Sequence, residues 1–215
     1  MTYYTGSITA VPVSNKEKYK AHLIAAWPLL AHYGAVRMVE SWGVDVQKGR
    51  VNDLFGAVDA RSDEAIVYAW IEWPDRAAAD TAWQAMPNDP AMAALSMPFD
   101  GSRMIFGGFD PVLATGGNQG AGYIQGFALA VPESNRARYV DMARQAWEGA
   151  FRPRGCLGMV EAWGVDVPRG KLTDFYRATL AEDGEVPVFG WTAWPDKATC
   201  DAAARAMEAE MEGQE

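Results

Sequence analysis

The chain has 215 residues, of which 49% are hydrophobic and 22% are charged, and its formal net charge at pH 7 is −9. This composition is typical of a globular protein with enough apolar residues for a sizeable core. The negative charge argues against nucleic acid and anionic membranes as partners, because their phosphate groups repel it. No apolar run reaches the length of a membrane-spanning helix, and the N-terminal residues lack a signal-peptide pattern.

The first half of the chain predicts alternating strands and helices. Alternation of β-forming residues indicates a strand at Tyr3–Val13, and the apolar pattern after the N-cap residues Ser14 and Asn15 predicts a helix from Lys16 to about His32. The same rules predict strands at Val36–Val46, Ala65–Trp73 and Met104–Phe109, and a helix from Pro74 to about Met86. Residues 52–60 receive no assignment, although Asp53 is placed to cap a short helix, as is Asp174 later in the chain. The order β-α-β-β-α-β is ferredoxin-like.

The second half repeats the first. The segment VESWGVDVQKG, which starts at Val39, returns as VEAWGVDVPRG from Val160, and AVPVSNKEKY and YAWIEWPDRAAAD return as AVPESNRARY and FGWTAWPDKATCD. One residue is inserted between Trp147 and Gly155. Every tryptophan except Trp83 has a counterpart in the other half. A duplicated domain explains these matches.

The repeats define the expected domains. We predict a first repeat at residues 1–113, a glycine-rich linker at 114–122 and a second repeat at 123–215, whose last strand is missing from the sequence. A ferredoxin-like repeat leaves one face of its sheet bare, and a second copy can cover that face. The predicted fold class is therefore α+β, with two tandem ferredoxin-like repeats that form a fused dimeric α/β barrel. The open sheet edge left by the missing strand favours self-association.

Glu40 and its counterpart Glu161 lie within predicted strands, between apolar residues. Strand alternation places Glu40 on one face with Met38 and Trp42. We expect this face to point into the barrel together with the aromatic face of the next strand. The expected interior set comprises Glu40, Trp42, Tyr68, Trp70, Glu161, Trp163, Phe189 and Trp191.

A carboxylate in an apolar interior is costly unless it is paired or protonated. Desolvation raises its pKa, which suits a general acid or base near neutral pH, so Glu40 and Glu161 are the candidate catalytic residues. Alternatively, these carboxylates bind backbone amides, indole NH groups or an arginine such as Arg37 or Arg103, and only stabilise the barrel. The candidate binding residues are Met38, Trp42, Tyr68, Trp70, Glu72, Met159, Trp163, Phe189, Trp191, His32 and Arg103.

The sequence predicts no metal site and no cofactor. The two histidines, His22 and His32, are about 15 Å apart along one predicted helix and face different directions. No phosphate-binding glycine loop or nucleophile elbow is present. Cys156 and Cys200 do not form a Cys-x-x-Cys pair, which favours a reduced, cytoplasmic compartment.

In the segments VESWGVDV, YAWIEWPD and MPFDGSRMIFGGF the chain resembles the DUF1428 family of bacterial proteins. The resemblance covers residues 3–112 and, without the closing motif, residues 123–211. It implies subunits of a dimeric α/β barrel in the ferredoxin-like superfamily, so that this chain resembles a fused dimer. It implies no reaction and no catalytic residue.

Two functions remain open from the sequence. The first is a cofactor-independent acid/base enzyme, isomerase-like, lyase-like or monooxygenase-like, that acts on a small apolar or aromatic molecule; these reaction classes rest on fold analogy. The second is a non-catalytic ligand-binding or stress-related structural module. The first repeat is the favoured location of a site, because Ala193 and Arg152 replace its Glu72 and His32 in the second repeat.

Overall fold

The computed structural model describes residues 1–212, which form two compact units. The first unit contains Met1–Asp110 and Gly164–Asp183, and the second contains Pro111–Trp163 and, within the described range, residues 184–212. Part of the second sequence repeat therefore belongs to the first unit. The repeat boundaries at residues 113 and 123 stay predictions.

The chain alternates strands and helices in the predicted order. The strands are β1 Tyr3–Pro12, β2 Arg37–Trp42, β3 Glu64–Trp73, β4 Ile105–Gly116, β5 Tyr123–Pro132, β6 Gly158–Asp166 and β7 Glu185–Trp194. The helices are α1 Lys16–His32, α2 Leu54–Ala57, α3 Arg76–Ala85, α4 Pro90–Ala93, α5 Arg136–Ala146, α6 Phe175–Ala178 and α7 Lys197–Glu212. Helix α1 has the predicted bounds, whereas β4 is longer than predicted and includes the first residues of the predicted linker.

The first unit has the strand order β2-β3-β1-β4, with antiparallel neighbours. This is the ferredoxin-like order. Helices α1 and α3 cover one face of the sheet, where Leu30, Trp73 and Ala79 belong to one apolar cluster. The other cluster under α1 joins Tyr19 to Val67 and Ala69 of β3.

The second unit repeats the order as β6-β7-β5, again antiparallel. Helices α5 and α7 cover its sheet, and Trp194 of β7 packs there with Ala143 and Cys200. Within residues 1–212, no counterpart of β4 follows α7. The predicted fold class, α+β with two tandem ferredoxin-like repeats, is confirmed.

The residue inserted in the second repeat coincides with a change of helix type. Helix α5 continues into a π-helical turn at Trp147–Phe151, whereas α1 is α-helical throughout. A π-turn accommodates one extra residue without displacing the residues on either side. The insertion therefore leaves Trp147 in the core, where its counterpart Trp27 also packs in the first repeat.

The segment Gly164–Asp183 is held in the first unit by polar and aromatic contacts. The Asn52 amide donates to the carbonyl of Ala178 at 2.6 Å, and the rings of Phe109 and Phe175 meet edge to face at 5.2 Å. Helix α6 lies in this segment, and Asp174 caps it by accepting from the Arg177 NH at 2.8 Å, as predicted. Asp53 caps α2 in the same way through the Gly56 NH at 2.7 Å, which also confirms its prediction.

Within residues 1–212, none of the helices combines the length and the apolar character that a membrane crossing requires.

Candidate functional site

Glu40 faces the helices of the first unit. In the register of β2 and β3, Glu40 lies opposite Ala69 and Trp42 lies opposite Val67. Both of these β3 residues pack against Tyr19 of α1, so the side chains of β2 that share their face also point toward α1. The Tyr19 hydroxyl accordingly donates a hydrogen bond to the Glu40 carboxylate at 2.8 Å.

The second unit contains the same arrangement. Glu161 of β6 lies opposite Gly190 of β7, on the face that α5 covers. The hydroxyl of Tyr139, the counterpart of Tyr19, donates to Glu161 at 2.6 Å. The two repeats therefore keep one carboxyl–phenol pair each, between the sheet and the first long helix.

A tryptophan and a cation complete each pair. The Trp42 ring lies 6.3 Å from that of Tyr19, and the Lys16 Nζ lies 5.1 Å from the Trp42 ring centroid. In the second repeat, the Trp163 ring lies 6.4 Å from that of Tyr139, and the Arg136 guanidinium lies 5.2 Å from the Trp163 ring centroid. We call these sets the first carboxyl site (Lys16, Tyr19, Glu40, Trp42) and the second carboxyl site (Arg136, Tyr139, Glu161, Trp163).

Burial sets the protonation behaviour of both carboxyl groups. Desolvation raises the pKa of Glu40 to about 7, although the hydrogen bond from Tyr19 partly lowers it. The same two effects bring the pKa of Glu161 to about 7, with Tyr139 as the donor. Burial and the adjacent carboxylates raise the pKa of both tyrosine hydroxyls, which therefore stay protonated. Each site can thus gain or release one proton near neutral pH.

Solvent access distinguishes the two sites. Glu161 is only 5% exposed, whereas Glu40 is half-buried. Phe99, from the closing segment of the first repeat (residues 97–109), lies 5.7 Å from the Tyr19 ring. His22 lies 6.3 Å from the same ring, and burial lowers the pKa of His22. A groove of about 560 Å³ adjoins His22 and lies between α1 and residues 94–98.

The expected orientation of Glu40 and Glu161 is wrong. Both were expected on the sheet face that carries Tyr68, Trp70 and their counterparts. In the register, however, Tyr68 and Trp70 lie opposite Ser41 and Val39, so Glu40 points to the other face. In the second unit, Phe189 and Trp191 likewise pair with Ala162 and Val160. The alternation of side chains within each strand was predicted correctly. The prediction of which residues of two neighbouring strands share a face was wrong, because that depends on strand register.

The other candidate binding residues are dispersed. Met38 and Met159 share the helix-covered faces with the carboxyl groups and belong to the apolar clusters there. Glu72 lies on the opposite face of the first sheet, beside Arg37 in the register. His32 is exposed in the last turn of α1, about 20 Å along the helix from Tyr19. These residues do not form one site with Glu40.

Arg103 has a different set of partners from those expected. Its guanidinium forms a two-pronged ion pair with Glu64, at 2.7 and 2.6 Å, and also binds Asp100 at 3.0 Å. The hypothesis that Arg103 neutralises Glu40 is therefore wrong, because its donors are engaged by Glu64, Asp100 and the carbonyl of Asp59.

Two pairs of residues at the carboxyl sites were not predicted from the sequence. Tyr19 and Tyr139 bind the carboxylates, and Lys16 and Arg136 lie over the tryptophans. All four stand in the aligned segments AVPVSNKEKY and AVPESNRARY, at matching positions. The match between the repeats therefore marked all four residues. Matching alone does not reveal which helix residue contacts which strand residue.

Replacing Tyr19 with phenylalanine is expected to raise the pKa of Glu40 above about 7, because the hydrogen bond that lowers it is lost while burial persists. Carbon-detected NMR of side-chain-labelled glutamate measures this pKa. The substitution Tyr139→Phe is the matched control, since it should raise the pKa of Glu161 and leave that of Glu40 unchanged. A lowered pKa of Glu40 in Tyr19→Phe would contradict the assigned hydrogen bond.

Among residues 1–212, histidine, cysteine, aspartate and glutamate side chains form no group of three that could hold a metal ion.

Comparison with known sequences identifies relatives of both repeats. The model of a family described as "protein of unknown function (DUF1428)" matches residues 2–101 and 122–215. The uncharacterized protein YbaA of Escherichia coli strain K12 is 44% identical over 115 residues, which are 53% of this chain and 98% of YbaA. The relative thus corresponds to about half of this chain, as expected for a duplication.

Solved structures share the fold at very low sequence identity. A "putative monooxygenase" of Fusobacterium nucleatum has a TM-score of 0.52 at 10% identity, covering 94% of this chain and 79% of that chain. One of Lactobacillus acidophilus has a TM-score of 0.55 at 7% identity, with coverages of 94% and 80%. An anthrone oxidase-like protein has a TM-score of 0.54 at 10% identity, with coverages of 94% and 76%. Identities this low establish similarity of fold alone.

Proposed function

This chain belongs to the DUF1428 family of proteins of unknown function, and we propose that it binds a small apolar or aromatic molecule at the first carboxyl site, where Glu40 transfers a proton. The observation that carries this proposal is the difference in exposure of the whole residue between two otherwise similar sites, since Glu40 lies on the edge strand β2. Both carboxyl groups have a pKa of about 7 and a tyrosine donor, but Glu40 is half-buried and Glu161 is 5% exposed.

A carboxyl group with a pKa near 7 is well matched to proton transfer at neutral pH. About half of such groups are ionised there and can accept a proton, and the other half can donate one. The Tyr19 hydroxyl stabilises the ionised form by donating to it at 2.8 Å. Since the pKa of Tyr19 itself is raised, the tyrosine orients the carboxylate without losing its own proton.

The reaction would begin with removal of a proton from a C–H or O–H group of the ligand by the Glu40 carboxylate. Return of that proton to another ligand atom gives an isomerase, and its delivery to a leaving group gives a lyase. A monooxygenase-like course requires dioxygen as the oxidant, to which the deprotonated ligand donates electrons. The fold shared with "putative monooxygenases" supports this last class by analogy only.

The second carboxyl site supports the alternative, a non-catalytic ligand-binding or stress-related module. Glu161 keeps the same partners as Glu40 while water has almost no access to it. An arrangement that persists without access is consistent with an architectural role for the pair. The alternative gains strength if Glu40 behaves as Glu161 does.

The test compares Glu40 and Glu161 in one sample. Glutamate is labelled at its carboxyl carbon, each signal is assigned with Glu40→Gln and Glu161→Gln, and both pKa values are measured with and without phenol, indole and 2-naphthol. We expect both values near 7, and we expect a neutral aromatic ligand to change that of Glu40 alone, upward where the ligand only displaces water and downward where its hydroxyl or NH group donates to the carboxylate. A Glu40 pKa below 5.5, or one that no ligand changes, would overturn the proposal.

A further inference from the structure

The first unit carries a row of partly exposed side chains beneath its helices. In the registers, Phe106 of β4 lies opposite Ser7 of β1, Ser7 lies opposite Ala69 of β3, and Ala69 lies opposite Glu40 of β2. Register partners on adjacent strands share a face, so these four residues form one row. Phe106 is 48% exposed, and Ser7 and Glu40 are half-buried. Solvent therefore reaches the row although Ala69, in its centre, is buried.

Trp83 of α3 stands beside this row. Its indole NH donates to the Thr5 hydroxyl at 3.3 Å, and Thr5 precedes Ser7 by one full strand period on the same face. Trp83 is 45% exposed and is the tryptophan that has no counterpart in the second repeat. Two exposed aromatic side chains, Trp83 and Phe106, thus flank Ser7. Exposed apolar groups at one place are typical of a binding site.

The second unit fills the equivalent row with its own aromatic ring. Phe127 of β5 lies opposite Gly190, and Gly190 lies opposite Glu161. A Cβ atom placed on Gly190 would lie 2.5 Å from the Phe127 ring and 2.9 Å from the Glu161 carboxylate. The ring and the carboxyl group therefore share the space above the glycine. This packing accounts for the low exposure of Glu161.

The first repeat has exchanged these residues for a different combination. Ser7 stands at the position of Phe127, and Trp83 stands at the position of Ala204. The aromatic ring beside the carboxyl group has thus been replaced by a small hydroxyl-bearing side chain, and an exposed aromatic ring has been added at the rim. Ser7 thus leaves the position of the Phe127 ring without an aromatic side chain of its own, and Trp83 and Phe106 provide exposed aromatic surface next to it.

We propose that the first unit binds a neutral planar aromatic molecule against Ser7, between Trp83 and Phe106, with the inner edge of its ring directed toward Glu40, as the Phe127 ring is directed toward Glu161 in the second unit. Trp83 and Phe106 contact the ring from its outer side. Neighbouring strands are about 4.8 Å apart, so Ser7 and Glu40 are separated by about 10 Å, which suits one or two fused rings. A hydroxyl or carbonyl group on the ring would bind Glu40 or Tyr19.

The ligand is not an anion, because the Glu40 carboxylate and the net charge of −9 both repel negative charge. This inference deepens the proposed function and rests on it for the role of Glu40 in proton transfer. The location of the ring depends only on the four-residue row and on Trp83.

The experiment measures binding of 2-naphthol by calorimetry to the whole chain and to four variants. Ser7→Phe places the ring of the second repeat into the first, and we expect it to weaken binding at least 10-fold. Trp83→Ala alters an exposed side chain and should weaken binding several-fold, so it tests the site even if Ser7→Phe fails to fold. Phe127→Ser, the matched control in the second unit, should not weaken binding. Cyclohexanol, which is not aromatic, should bind at least 10-fold more weakly than 2-naphthol.

Absence of 2-naphthol binding to the unaltered chain at millimolar concentration would overturn the inference. So would unchanged binding in both Ser7→Phe and Trp83→Ala, because the ligand would then lie elsewhere. The fourth variant, Glu40→Gln, separates this inference from the proposed function. Binding retained in Glu40→Gln, without any response of the Glu40 pKa in the unaltered chain, would sink proton transfer but support the ring site. If the pKa of Glu40 responds to the ligand while neither Ser7→Phe nor Trp83→Ala weakens binding, proton transfer by Glu40 is supported and the ring site is contradicted.

Discussion

Replacing Arg103 with methionine is expected to lower the free energy of unfolding by about 3–5 kcal/mol, the usual cost of breaking a buried ion pair from one side. Arg103 is 5% exposed and its partner Glu64 is 6% exposed. The Arg103 guanidinium holds the pKa of Glu64 below its usual value, so the abandoned Glu64 would be a buried charge without its main partner. Urea unfolding measured at pH 7 determines the difference.

The double variant Arg103→Met, Glu64→Met is the control for this effect. Because it removes both charges, it should recover most of the lost stability, as exchange of a buried ion pair for apolar side chains is often close to neutral. A loss below 1 kcal/mol in Arg103→Met alone would contradict the structural role of the pair. The pair also connects the closing segment to β3, since Arg103 follows Asp100 in that segment and Glu64 begins β3.

Replacing Glu161 with glutamine is expected to stabilise the protein at pH 9 and to leave it nearly unchanged at pH 4. The pKa of Glu161 is about 7 in the folded state and 4.5 as its ordinary value, so the folded state holds the extra proton between these two pH values. The unfolding free energy contributed by this group is therefore greatest below pH 4.5 and falls as the pH rises through 7. The total fall is about 3 kcal/mol, at 1.36 kcal/mol per pKa unit.

Glutamine removes this dependence, because it stays neutral and its carbonyl still accepts from Tyr139. Thermal or urea unfolding at several pH values measures the change. Glu208→Gln, which removes the same charge from an exposed position on α7, should leave the pH dependence unchanged. Equal pH dependence in Glu161→Gln and in the unaltered chain would show that Glu161 is ionised in the folded state well below pH 7.

The two predictions separate two ways in which the protein keeps buried charge. Arg103 and Glu64 are both ionised and neutralise each other, so the fold is destabilised only when one of the two partners is removed. Glu161 accepts a hydrogen bond from the Tyr139 phenol, which carries no charge, so protonation of Glu161 relieves the cost of its burial. Only the second arrangement gives a group that titrates near neutral pH, which is why the proposed function rests on the carboxyl sites.

The duplication, the order of the main strands and helices and the family could be predicted from the amino-acid sequence alone. Helix α1 could be placed at Lys16–His32 because its polar start and its glycine stop are local signals, although the Asn15 side chain donates to the Pro98 carbonyl and does not cap the helix. Alternation in β3 correctly separated Val67 and Ala69 from Tyr68 and Trp70, since strand side chains alternate by geometry. The suspicion that Glu40 and Glu161 are buried, titrating carboxyl groups came from their apolar neighbours in the repeats.

The face of the sheet on which those carboxyl groups lie could be known only from the three-dimensional structure. Alternation tells which residues of a strand share a face, but not which face of the neighbouring strand they join, because register is fixed by contacts far apart in sequence. The pairing of Glu40 with Ala69 brought it to Tyr19 instead of to Trp70. The exposure of the two sites could not be predicted from the sequence either. The difference between Ser7 and Phe127 is informative only once the structure places each in a row of residues that contains a carboxyl group.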